Sequence, residues 1–134
     1  MNIKEALRRR PINIAFIIIF MGLYTLNRLF LIHITEGVTN QFCRWHLNDL
    51  ICPLVILPYI EVLVLSNGYE IVSIVKIISI GLCCAFIWEY VIPIFKVSSI
   101  SDPLDVVCYL LGSFLYASAL HISIMLEKGQ LGVV

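Results

Sequence analysis

Glu89 is the residue of this sequence whose position most demands a chemical reason. It stands in an otherwise apolar run, between Trp88 and Tyr90, with Pro93 one turn later and no helix start nearby for it to cap. An ionisable side chain inside a bilayer costs ~2.5–3.5 kcal/mol on insertion scales, so such residues pair with one another or face a hydrated interior. Other ionisable groups share its depth without sharing its neighbourhood in sequence. Arg28 and His33 lie near the end of one apolar run, Arg44, His46 and Asp49 open a second, and Asp102 and Asp105 open a fourth. Carboxylates gathered in this way offer hard oxygen ligands to a divalent cation, or counter-charge to a cationic headgroup. The candidate ligand-binding residues are Glu89, Asp105, Asp49, Arg28, Tyr109 and His46, with Arg28 as a counter-charge among the acids.

Each of these residues also has a plainer role open to it. Asp102 followed by Pro103 reads as an N-cap with proline at N1, and Asp105 then falls at N3, near the positive end of the helix. Asn48 or Asp49 can cap the second helix in the same way. His33, Arg44 and His46 can be solvated interface residues, with Trp45 as a headgroup anchor. Arg28 can reach outward along its own stem or form a structural salt bridge with Glu89. In the fourth run Asp105, Tyr109, Gly112, Tyr116, Ala119 and Ser123 fall within ~40° of one line at about 100° per residue. A stripe of small and polar residues on a membrane helix packs inward against other helices. Gly81 and Ala85 form a second such pair. Further down, Glu61 and Lys76 stand on either side of the turn Ser66-Asn67-Gly68 at similar depth, and are expected to form a structural ion pair, with a proton or ion relay as the alternative. Pro53 and Pro58 bend the helix that carries Glu61 and free carbonyls along it.

The elements that must position these residues are visible in the hydropathy. The chain has 134 residues, 60% hydrophobic and 13% charged, with a mean hydropathy of +0.98. Soluble domains carry roughly 45–50% apolar and about 25% charged residues. The excess falls in four runs, 12–32, 47–65, 71–95 and 104–125, each long enough at ~1.5 Å per residue to cross ~30 Å of hydrocarbon. Backbone in lipid must satisfy itself, and the alternating polar residues of a barrel are missing, so the runs are helices. The expected fold is an all-α membrane protein, a four-transmembrane-helix bundle forming one domain over 1–134. Lys4, Arg8, Arg9, Arg10 and Lys128 flank one side against Arg44 and Lys96 on the other, which places both termini in the cytoplasm and the acidic layer outside. The first run has a basic start but no small-x-small cleavage site, so it reads as an uncleaved helix.

Other classes are set aside on composition. Formal net charge is zero, and no basic patch with interleaved aromatics points to nucleic acid. Five cysteines show no CxxC or zinc-ligand spacing; buried thiols act as small hydrophobes, with a Cys43–Cys108 disulfide as one open alternative. No cofactor motif is present and the identity of any metal is left open. Catalysis needs a nucleophile and a base within reach, and Ser101 or Cys108 near His46 does not make that case.

The stretch Trp88-Glu89-Tyr90-Val91-Ile92-Pro93, followed by Asp102-Pro103-Leu104-Asp105-Val106-Val107-Cys108-Tyr109-Leu110-Leu111-Gly112, resembles the signature of VanZ-like membrane proteins. Those carry an acidic residue late in one helix, a short outer loop, and a helix opening with Asp and reaching Gly seven residues on. Glu89, Asp105 and Gly112 match in kind and spacing, Tyr109 takes the place of the usual asparagine, and His46-Leu47-Asn48-Asp49 is similar to the charged second helix. The resemblance implies a multi-pass protein of the bacterial inner membrane and the cell envelope. It would bind a polar or cationic headgroup, of a lipid or lipid-linked precursor, in an outward-facing acidic pocket. Through Leu47-Asn48-Asp49 it also implies an alternative, a small secondary transporter, working as a homo-oligomer, for a divalent cation or its citrate complex. A third expectation is an accessory or immunity subunit that docks on a larger membrane protein.

Overall fold

The computed structural model describes residues 2–95 and 102–131. Among them there is no strand, and the chain forms five helices, four of them long and apolar enough to cross a membrane. Lys96 and Ser101 lie outside the described residues.

Helix α1, Ile3–Arg9, is set by a capping box: Asn2 Oδ1 accepts from the Glu5 N–H at 2.9 Å, and the Asn2 N–H donates to Glu5 Oε2 at 3.1 Å. It stops at Arg10, which leaves the helical region because Pro11 follows. Pro11 then opens α2, Pro11–Ile34, at the position where a missing N–H costs nothing. Near its far end α2 carries a wide π turn, Asn27–Leu31, closed by the Ile32 N–H donating to the Asn27 carbonyl.

Gly37, at φ +60°, opens α3, Gly37–Ser66. This span begins earlier than the expected 47. Its first part, Gly37–Trp45, and its main part, Leu47–Ser66, meet at an interruption on His46. It ends in a Schellman motif: the Gly68 N–H donates to the Leu65 carbonyl at 3.0 Å, and the Tyr69 N–H to the Val64 carbonyl at 3.1 Å. Gly68 takes φ +85° there, a conformation that strains a side-chain-bearing residue.

Helix α4, Ile74–Phe95, starts three residues after the expected Ile71, whose N–H is taken by Glu61 instead of by a helical partner. It too contains a π turn, Ile87–Val91. A cause is at hand: in an α turn the ring of Pro93 would press on the carbonyl of Glu89, four residues back, and widening the turn relieves that contact. Helix α5, Pro103–Leu131, outruns its expected end at residue 125.

Helices α3 and α5 form the middle of the bundle, α4 lies against α5, and α2 covers α3 with most of its surface left to lipid. Leu54, Leu57, Ile77, Tyr116, Ala117, Leu120 and Ile124 make the main core. Close approach of backbones sets the helix spacing. A Cβ on Gly112 would run into the Leu50 carbonyl oxygen and lie 2.5 Å from Pro53 Cγ, and one on Gly81 would run into the Ser113 hydroxyl. The small-residue stripe of α5 is thus a packing face, as small residues in membrane helices usually are. Helix α1 docks Ala6 on Val62 and Leu65, at the end of α3 remote from His46.

Candidate functional site

The chain places ionisable groups at both ends of the bundle. At one end, His46 sits at the interruption of α3, between its two helical parts, with φ −113° and ψ −26°. Its Nδ1 lies 2.7 Å from Asp105 Oδ1, two turns of helix brought together from different spans. Asp102 caps α5: its Oδ1 accepts from the Leu104 N–H at 2.9 Å, as the Asp-Pro pair led one to expect. Glu89 lies within the π turn of α4, 8% exposed, and its Oε2 accepts from the Asp102 N–H at 3.3 Å. Asp49, one turn along from His46, stands within charge-interaction range of Asp105 and Glu89.

Donor atoms of His46, Asp102 and Asp105, one from each, all lie within 4.8 Å of one another. That separation suits a shared cation, with imidazole nitrogen and carboxylate oxygen as mixed ligands. Tyr109 follows Asp105 by one turn on the same face and is buried at 1% exposure, and it is not among the clustered donor residues.

Arg28 is not part of this arrangement. Its side chain is exposed, and among the described residues no ion pair joins it to Glu89 or Asp105. About 100° of helical rotation separates it from its neighbour: Asn27 is 0% exposed and faces inward, while Arg28 is exposed. Asn27 is the residue that the sequence reading passed over. Its Nδ2 donates to the Cys43 carbonyl at 2.8 Å and to Asn48 Oδ1 at 3.1 Å, on either side of the His46 interruption. An amide in an apolar run was the available signal, and it was overshadowed by the charge beside it. His33, Arg44 and Trp45 are exposed, as interfacial residues would be.

At the other end the expected Glu61–Lys76 ion pair is not formed. Lys76 is exposed, whereas Glu61 is 2% exposed and its Oε2 accepts from the Ile71 N–H at 3.0 Å. Helical rotation explains the error. Depth along the span was read correctly, but Lys76 faces away from α3, and a long basic side chain near a helix end reaches outward for water. The arginine that enters the bundle there is Arg10, 5% exposed, which pairs with Glu127 at 2.6 Å and Glu70 at 3.6 Å; Arg9 also pairs with Glu70. Beside it Asn13 Oδ1 accepts from the Tyr116 hydroxyl at 2.8 Å. The five cysteines are free, so Cys43 and Cys108 are not joined.

No family model, curated protein or solved structure matches this chain.

Proposed function

We propose that the chain is a membrane protein that binds a cation at the acidic end of its bundle, with a divalent metal ion on His46, Asp102 and Asp105 as the best-supported occupant. The observation that carries this reading is the convergence of those three donor atoms within 4.8 Å, with Glu89 and Asp49 alongside. Four carboxylates meet one imidazole, and Arg28, the arginine expected to balance them, lies elsewhere. Like charges gathered in a membrane span call for a counter-ion. Among the described residues no lysine or arginine pairs with these acids, and a bound cation answers the need. A nitrogen donor with two carboxylates favours zinc, manganese or iron over magnesium, which prefers an all-oxygen octahedral shell.

The resemblance to VanZ-like proteins fits the same end of the molecule. In that reading both termini are cytoplasmic, the protein sits in the bacterial inner membrane, and the acidic end faces outward to meet a cationic headgroup. A site built to hold a metal can also hold an ammonium group, because both satisfy the same oxygens.

Isothermal titration of the purified protein in lipid nanodiscs with manganese or zinc tests the proposal. Saturable binding that is lost in both His46→Ala and Asp105→Asn supports it. Binding unchanged in both variants removes the metal reading. Competition by a lipid with a primary-ammonium headgroup, set against one with a neutral headgroup, tests the headgroup form.

A further inference from the structure

The buried polar groups at the Arg10 end play no part in cation binding, and three of their atoms lack a partner within the protein. Arg10 Nε and Asn13 Nδ2 are donors without an acceptor, and Glu61 Oε1 is an acceptor without a donor. Their residues are 5%, 0% and 2% exposed. Buried polar atoms almost always find a partner in protein or ordered water, and leaving one unmade costs about 1–3 kcal/mol. Three such atoms in one region, on α2, α3 and the residue before α2, mark a place built for a guest.

The size of the guest follows from the walls. Glu61 and Tyr116 line one small, partly open cavity whose other walls, Leu57, Ile71, Ile77 and Ile80 among them, are hydrocarbon. Its interior is about 10 Å³ for a water-sized guest, room for about one water and nothing larger. Water is also the right chemistry, since it donates to a carboxylate and accepts from N–H groups. Tyr116 then links this cavity to Asn13 through its hydroxyl, and the first turn of α2 leads from Asn13 to Arg10 and its ion pairs with the half-exposed Glu70 and Glu127.

We propose that Glu61, Tyr116, Asn13 and Arg10 form a second functional site, a proton-exchange site in which an internal water serves the Glu61 carboxyl from the Arg10 side. In uptake, a hydronium ion entering by exchange of the internal water from the Arg10 end gives its proton to Glu61 Oε1 and is left as the neutral water, which the Tyr116 hydroxyl oxygen holds as acceptor; release runs the same steps backward. Glu61 Oε2 stays on the Ile71 N–H throughout, so the side chain does not move. The charged and titratable groups around Glu61 are Arg9 and Arg10 from the N-terminal segment, Glu70 from the α3–α4 connection and Tyr116 from α5. Lys76, on α4, is turned outward. The site lies at the opposite end of the bundle from His46 and Asp105, so it stands or falls independently of the cation reading.

Infrared difference spectroscopy of the protein in nanodiscs, across a pH step in H₂O and in D₂O, tests this. The expected result is a carboxylic-acid carbonyl band that shifts in D₂O, is lost in Glu61→Gln and persists in Glu89→Gln. Gln keeps an oxygen for the Ile71 N–H, so the fold should survive. Should it not, Glu61→Asp replaces it, and a displaced band then gives the same assignment. Tyr116→Phe should leave the band and slow its exchange. A pH-dependent spectrum that is identical in wild type, Glu61→Gln and Glu61→Asp overturns the proposal, as does a Glu61 band that never exchanges with D₂O.

Discussion

His46 Nδ1 and Asp105 Oδ1 lie 2.7 Å apart although 59 positions separate them in the chain. A hydrogen bond from imidazole to carboxylate is worth about 1.5–3 kcal/mol when one partner is charged. Here it also joins the interruption of α3 to the first turn of α5, so the cluster and the helix packing share one contact.

Glu89 Oε2 accepts from the Asp102 backbone N–H, so at the proposed cation site it would be an outer-shell partner of Asp102. Glu89→Gln keeps an oxygen for that N–H while removing a charge. We expect helicity and elution behaviour to stay as in wild type and divalent-cation affinity to fall about 10–100-fold, the usual cost of losing such a partner. Circular dichroism and size-exclusion chromatography check the first half, and titration of the variant in nanodiscs the second. Wild-type affinity in this variant would separate Glu89 from the site.

Arg28→Gln should leave cation affinity unchanged, because the guanidinium is exposed and makes no ion pair among the described residues. The comparison with Glu89→Gln under the same conditions is informative. A large loss in Arg28→Gln would mean that the arginine does approach the acids.

Gly112 and Gly22 make a matched pair for stability. Gly112→Ala should lower the thermal midpoint in detergent, by about 1–3 kcal/mol of overpacking, since the new methyl meets the Leu50 carbonyl and Pro53. Gly22 has nothing within 4 Å of its would-be Cβ and lies in a helix, so Gly22→Ala should be neutral or gain up to about 1 kcal/mol. Thermal unfolding followed by circular dichroism distinguishes the two.

Arg10 and Arg9 differ in the same instructive way. Both pair with Glu70, but Arg9 has a side chain 53% exposed and Arg10 one only 6% exposed that also reaches Glu127. Exposed pairs contribute about 0–1 kcal/mol, so Arg9→Ala should barely register. Arg10→Ala should cost several times more and loosen the C-terminal part of α5, read as faster amide exchange around Glu127.

Orientation is open to a direct check. With five basic residues on one flank against two on the other, a reporter fused at residue 134 should be active only as a cytoplasmic marker. A reporter inserted at 35–36, between α2 and α3, should be active only as an external one.

The sequence showed depth well and rotation poorly. Four apolar runs located the spans, and the positions of His46, Asp49, Glu89, Asp102 and Asp105 along them were enough to predict one polar layer. Which face a residue presents depends on every turn before it, and a π turn shifts that count by one residue. Arg28 was placed with the acids on depth alone, and its neighbour Asn27 is the residue that faces inward. The Glu61–Lys76 pairing failed for a related reason, since equal depth on adjacent helices says nothing about facing. The extension of α3 back to Gly37 was hidden because Gly37–Trp45 is polar enough to read as a loop.

The bond between Tyr116 and Asn13 closes over 103 positions of sequence. At translation rates of about 5–20 residues per second, α2 leaves the ribosome roughly 5–20 s before its partner exists. During that interval the Asn13 amide must be held by the insertion machinery, by lipid headgroups or by water. The bundle is therefore completed only when its last helix arrives, and a chain truncated before residue 116 should be a substrate for membrane quality control, not a smaller working protein.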